Sequence, residues 1–204
     1  MNIEFKISKK PVLYDKAMRF LEKKVKNVKN GGRELIWILE HPTTFTGGIR
    51  FDNDEILDKS ILVKRTNRGG KITLHNPGQK IVYFVINLNK RKKNIRNLVR
   101  QIENIIIEFL KIYGITSRSD RKNIGIWVKD KKKSKKIAAI GIRVKKWIAY
   151  HGFSLNVLNN LNNYKKIIPC GIKNKGITSL NELGVKDCEN INKIIIEKFL
   201  NIFL

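Results

Sequence analysis

At 204 residues the chain is most simply one domain, residues 1–204, long enough to bury roughly 70% of its unfolded surface without disulfides or a structural metal. Its 43 Lys and Arg against 17 Asp and Glu give a net charge of +26, which invites a nucleic-acid reading. The excess is spread along the whole chain with abundant Asn and Ile, as AT-rich coding DNA produces. It is not interleaved with aromatics, and no zinc-finger, RNP or KH signature occurs, so acidic protein partners are expected rather than nucleic acid.

The N-terminus, MNIEFKISKKP, carries an early glutamate and no signal-peptide apolar region, and no apolar run approaches the ~18 residues of a membrane span. A cytoplasmic location without membrane attachment is expected. From Pro11 to about Asn30, Val12, Tyr14, Ala17, Leu21, Val25 and Val28 recur at helical spacing, and Gly31-Gly32 ends the helix. Leu35 to Leu39 reads as a buried strand that leaves through His41-Pro42, and Ile61 to Lys64 as another short strand. Next comes Arg68-Gly69-Gly70-Lys71-Ile72-Thr73-Leu74-His75-Asn76-Pro77-Gly78-Gln79, followed by a strand from Ile81 to Leu88. Adjacent glycines let backbone approach a ligand closely, with Arg68, Thr73, His75 and Gln79 as polar groups around a cleft. The same residues also read as a plain hairpin with Gly and Asn-Pro-Gly turns. Neither a P-loop nor a strand-led dinucleotide fingerprint is present, so nothing points to a phosphate cradle.

Asn94 to Tyr113 is the clearest helix, ending at Gly114. Ile124 to Val128 and Lys136 to Val144 read as paired strands, with Trp147 to Val157 as the next. Small residues Ala138, Ala139 and Gly141 on one strand, and Gly152 and Ser154 on the other, leave room for a narrow apolar slot, or simply let sheets pack closely. A last helix is expected from about Asp187 to Phe203, with Ile191, Ile194, Ile195 and Ile202 inward and Cys188 in its first turn as a spectator.

The chemistry is expected between Lys136 and Cys170. Cys170 lies between Pro169 and Gly171, at a bend that continues neither a helix nor a central strand. A nearby ammonium favours thiolate, the form that attacks carbonyl carbon. The bland alternatives stand beside this: a lone Cys is commonly buried for packing. Lys136 closes a run from Asp130 through Lys131, Lys132, Lys133, Ser134 and Lys135 that by itself reads as a solvated hairpin tip. The two cysteines show no metal-ligand spacing.

Together, RGGKITLHNPGQ, KIAAIGIRV, WIAYHGFSLNV and IPCGI followed by ITSL resemble the bacterial octanoyltransferases of lipoate biosynthesis, over roughly Leu35 to Leu183. The resemblance implies an α/β fold shared with biotin and lipoate protein ligases, a mixed sheet with flanking helices. It implies transfer of an octanoyl group, without ATP or any cofactor, from acyl carrier protein to lysines of lipoyl domains in 2-oxoacid dehydrogenases and the glycine cleavage H protein. Carried over by position, the nucleophile is Cys170 and its partner Lys136; the binding segments are Arg68, Gly69, Gly70, Lys71, Ile72, Thr73, Leu74 and His75, then Ala139, Ile140 and Gly141, and Gly152, Phe153 and Ser154. The family usually has glycine at Asn76, a change that a left-handed turn tolerates. An ATP-dependent lipoate protein ligase shares the fold and an RGG-like motif, and a basic nucleic-acid-binding module would account for the charge; neither gives the Pro-Cys-Gly corner a purpose.

Overall fold

The computed structural model describes residues 2–130, 133–172 and 175–203, so Lys131 and Lys132 of the expected hairpin tip lie outside the described residues. In chain order the elements are β1 (Ile3–Ile7), α1 (Tyr14–Lys29), β2 (Glu34–Leu39), β3 (Thr44–Gly47), β4 (Val63–Arg65), β5 (Ile72–His75) and β6 (Gln79–Asn87). They continue with α2 (Ile95–Ile112), β7 (Ser117–Ser119), β8 (Ile126–Asp130), β9 (Lys133–Lys145), β10 (Ile148–Asn156), β11 (Gly176–Ile177) and α3 (Ile191–Phe203).

Among the described residues the main sheet runs β1-β2-β6-β10-β9-β8-β7, with β11 added beside β9. It is mixed: β1 with β2 and β11 with β9 are parallel, the other pairs antiparallel. The central strands are apolar on both faces because both are covered. Helix α1 lays Ala17, Leu21 and Val28 against Leu35, Trp37, Leu39, Ile81 and Tyr83 on one face. Helices α2 and α3 cover the other, where Ile102, Ile106, Phe109, Ile195 and Phe199 meet Ile36, Val82, Phe84 and Phe153. This is the α/β layout, a mixed sheet with flanking helices, that the sequence implied.

Local chemistry sets the boundaries. Asn94 caps α2 by accepting the Asn97 N–H, and the chain leaves α2 through Gly114 at φ +70°. Helix α3 starts at Ile191, later than expected, so Cys188 lies in the segment before it and not in its first turn. Ile191, Ile195, Phe199 and Phe203 are its buried row, while Ile194 and Ile202 are only partly covered.

The glycine-rich segment is not a hairpin. Strand β5 pairs with β3 in a separate sheet of order β4-β3-β5, while β6 crosses into the main sheet. The Asn76-Pro77-Gly78 turn therefore joins two sheets. Gly78 alone of these takes the left-handed conformation, at φ +84°. Asn76 does not, which corrects the sequence-based account of its tolerance. Its side chain is buried, donates to the Asn160 carbonyl at 2.7 Å and accepts from Asn159 Nδ2 at 3.1 Å. Asn159 and Gln79 both donate to Asn156 Oδ1, so an amide network holds the crossover.

Candidate active site

The small sheet, the loop before it and the Pro169–Gly171 turn close over the face of the main sheet that α1 partly covers, leaving a cavity of about 710 Å³. Its walls include Arg68, Gly69, Gly70, Lys71, Thr73 and His75 from one side, and Ala139, Ile140, Gly141, Gly152, Phe153 and Ser154 from the sheet. Cys170 and Lys136 both line it. Ile72 and Leu74 do not: a strand alternates its faces, and both point with Phe45, Tyr164 and Ile167 into the small sheet's own apolar cluster. Their sequence-derived place in the binding segment is corrected to packing. Phe153 contributes chiefly to the opposite core, where its ring stacks on Phe199 at 6.4 Å.

Cys170 sits in a 3-10 turn, Pro169–Gly171, with its own φ at +57° and ψ at 17°. Pro169 supplies a fixed φ and no N–H, the Gly171 N–H closes on the Ile168 carbonyl at 3.0 Å, and Gly171 follows at φ +68°. A non-glycine residue in this region is held against a local energy penalty, a state concentrated at functional sites. The turn is strapped from below. Ile168 donates to the Glu55 carbonyl at 2.8 Å, and Leu57 donates to the Lys166 carbonyl at 2.9 Å. The buried Glu55 carboxylate accepts the Ile72 N–H at 3.1 Å and pairs with Lys71 at 2.5 Å. A Cβ on Gly171 would lie 2.6 Å from Lys71 Nζ and 3.0 Å from Glu55 Oε1, so a side chain there displaces the lysine end of this pair, at a φ that already favours glycine.

Lys136 is 3% exposed despite following a run of lysines. The β8–β9 register slips between Ile126 and Trp127, which face Ala138 and Lys136, and this irregularity re-aims the lysine inward. Its ammonium donates to the Ile124 carbonyl at 3.0 Å and stands 4.8 Å over the Trp127 ring. Gly125, at φ +136°, makes room for its stem: a Cβ there would meet Lys136 Cε at 3.1 Å. With Cys170, Thr73, Ala139, Ser154 and Tyr164, Lys136 also encloses a small void of about 10 Å³. The two ends of the segment from Lys136 to Cys170 thus reach one place.

Arg68 is a clamp as well as a wall. Its guanidinium donates to the carbonyls of Thr46, Gly69 and Lys71 at 2.7 to 2.9 Å, binding the glycine loop to β3. Its stem lies over Gly141, where a Cβ would meet Arg68 Cδ at 3.3 Å and the Gly69 carbonyl at 3.1 Å. A Cβ on Gly152 would collide with the Val82 carbonyl oxygen of the neighbouring strand. Backbone packing therefore requires glycine at position 152, while at Gly141 a side chain would press on Arg68 and the Gly69 carbonyl.

Sequence reasoning singles out His75 but misses the histidine cluster it belongs to beside the cavity. His41, His75 and His151 gather with Tyr14 and Tyr83, the ring centroids of His41 and His75 lying 5.7 Å apart. His41 Nδ1 donates to the Val12 carbonyl at 2.6 Å, which leaves Nε2 to accept from Tyr83 OH at 2.9 Å. Burial, with His41 and then Arg68 nearby, pushes His75 down to about 3; burial, with Arg68 and Arg143 nearby, does the same to His151. Burial lowers His41 as well, so all three imidazoles favour the neutral form. Among the described residues no group of His, Cys, Asp and Glu is arranged to hold a metal ion, and no helix is long and apolar enough to cross a membrane.

Residues 14–200 match the lipoyl protein ligase A/B catalytic domain. An octanoyltransferase of Wolbachia sp. subsp. Brugia malayi is 42% identical over 98% of this chain and 100% of its own length. One from Ehrlichia ruminantium is 44% identical over 98% and 97%. Among solved structures, a putative lipoate protein ligase of T. acidophilum with bound lipoic acid superposes with a TM-score of 0.77 at 16% identity, over 98% of this chain and 86% of that one, a likeness of fold. With nearly full-length identity above 40% and a matching domain that spans the site, the chain belongs to the lipoyl protein ligase A/B family and, within it, to the octanoyltransferases.

Proposed function

We propose that residues 1–204 act as one catalytic domain that carries an octanoyl group as a thioester on Cys170. The donor is octanoyl-acyl carrier protein, and the acceptors are lysines of lipoyl domains of 2-oxoacid dehydrogenases and of the glycine cleavage H protein. What supports this reading is that Cys170, on a strained turn, and Lys136, buried by a strand irregularity, line the same cavity.

In the first half-reaction the Cys170 thiolate attacks the donor's thioester carbonyl. A new S–C bond forms, the carrier's S–C bond breaks, and the carrier sulfur leaves as thiolate; through solvent it takes up the proton that the Lys136 ammonium releases, which leaves Lys136 neutral for the second half. One thioester replaces another, so the step is nearly balanced. In the second, the acceptor lysine's neutral amine attacks the acyl-Cys170 carbonyl; the C–N bond forms, the C–S bond breaks, and the amine's proton passes to Lys136. Lys136 has two parts, as an ammonium favouring the Cys170 thiolate and as the base that takes this proton. Amide formation from a thioester is downhill, so no nucleotide is called for.

The test is transfer from purified octanoyl-acyl carrier protein to a lipoyl domain with nucleotides removed. Turnover without ATP, abolished by Cys170→Ala, is expected. Turnover that requires ATP and survives Cys170→Ala would assign the chain to ligase chemistry instead.

A further inference from the structure

Adjacent residues of a regular strand point to opposite faces, yet the rings of Tyr150 and His151 stack with centroids 4.8 Å apart and planes at 24°. The cause is His151's backbone, at φ +68° in the middle of β10. The turn at this residue swings the imidazole to the α1 face, 6.4 Å from the Tyr83 ring. It therefore stands on the same side as Ser154 and Gly152, at the end of the bare stretch that these small residues leave. Nε2 donates to Asn67 Oδ1 at 2.6 Å, whereas Nδ1 is buried without a hydrogen-bond partner, so one hydrogen bond fixes the ring.

The spacing is informative. Ser154 lines the small void that Cys170 also lines, and His151 is three residues back along the strand, roughly 10 Å at strand rise. An extended eight-carbon acyl chain, seven zigzag bonds of ~1.5 Å, advances roughly 9 Å. Beyond His151 is a second groove of about 540 Å³, with Met18, Leu21 and Tyr150 in its walls. Ile49 and His151 line both spaces.

We propose that His151 is the end wall of the acyl slot, that Asn67 is its latch, and that together they set the length of chain that the protein carries. This rests on the acyl-Cys170 reading above. Turning the ring aside joins the slot to the second groove and admits longer chains.

The experiment loads the protein from acyl carrier proteins bearing 6- to 16-carbon chains and follows the acyl-Cys170 adduct by intact mass. The readout is the ratio of 12-carbon to 8-carbon loading rates, from which any general loss of activity cancels. Wild type should fall steeply past 10 carbons, since each methylene forced against a wall is worth at least about tenfold. His151→Gly adopts φ +68° without strain and should raise the ratio about tenfold or more; Asn67→Ala, which only frees the ring, should raise it less. An unchanged ratio in both variants, or a wild type that loads 8 and 16 carbons alike, would overturn the wall. Absence of any adduct on Cys170 in wild type would instead overturn the reading beneath it, and the proposal with it.

Discussion

Replacing Glu55 with Ala should destabilise the protein and slow acyl-enzyme formation at once, although Glu55 sits outside the cavity. The Glu55 carboxylate is 4% exposed and accepts the Ile72 N–H at 3.1 Å. Deleting it strands a buried backbone donor, a cost of about 1–3 kcal/mol. The pair with Lys71 adds little, since the lysine side is 39% exposed and solvent screens it, so at most ~1 kcal/mol. At ~2–4 °C per kcal/mol for a chain of this size, the melting temperature should drop by roughly 2–16 °C. Glu55→Gln keeps an acceptor for Ile72 and should lose far less. The kinetic effect follows from position: the pair abuts Gly171, so the turn carrying Cys170 loses its side-chain support while the Glu55 carbonyl still holds Ile168. A displacement near 1 Å of a reacting group costs up to about 10²-fold in rate. Calorimetry and the rate of Cys170 octanoylation, measured on both variants, check the two parts. A Glu55→Ala protein that melts within about 1 °C of wild type and loads at the wild-type rate would refute this reasoning.

Lys136→Arg keeps the charge but removes a usable base, because guanidinium does not deprotonate in proteins; Cys170 should still acquire octanoyl while transfer to the lipoyl domain falls about 10²-fold or more. Single-turnover chase separates the two steps, and near-normal transfer would remove the base role. His75 and His151 are held near 3 against an ordinary value of 6.5, so between these values the unfolded chain binds the extra protons and stability falls as pH falls. Urea unfolding from pH 7 to pH 5 should show this decline, up to ~1.4 kcal/mol per pH unit for each histidine, and a flat profile would contradict it. If the +26 charge steers acidic partners, transfer at limiting partner concentration should slow as salt rises, and rates independent of ionic strength would remove that role.

How much of this was legible before the structure depends on how local the cause is. Helices α1 and α2 follow from apolar periodicity and end at glycines, signals carried within one stretch. Strands β1 and β3 escaped notice: β1 is only five residues at the sheet's edge, and β3 is the Thr-Phe-Thr-Gly stretch that followed a proline. The glycine-rich motif read equally well as a hairpin, because turn chemistry is the same whether the next strand returns beside the last or crosses to another sheet. The bend at Cys170 was legible from its Pro and Gly neighbours. Lys136 and its lysine neighbours look alike in sequence, and a register slip against β8 decides that this one is inward. Glu55 and His151 carried no sequence signal, since one acts through partners 16 or more residues away and the other through a single backbone angle.

The central claim is that Cys170 carries the acyl group, and intact-protein mass spectrometry after mixing with octanoyl-acyl carrier protein tests it most directly. Wild type and Cys188→Ala should each gain one octanoyl group, mapped by peptide analysis to Cys170 and discharged on addition of a lipoyl domain; Cys170→Ala should gain none. An unmodified wild-type protein that still transfers octanoyl, or an adduct that persists in Cys170→Ala, would contradict the account.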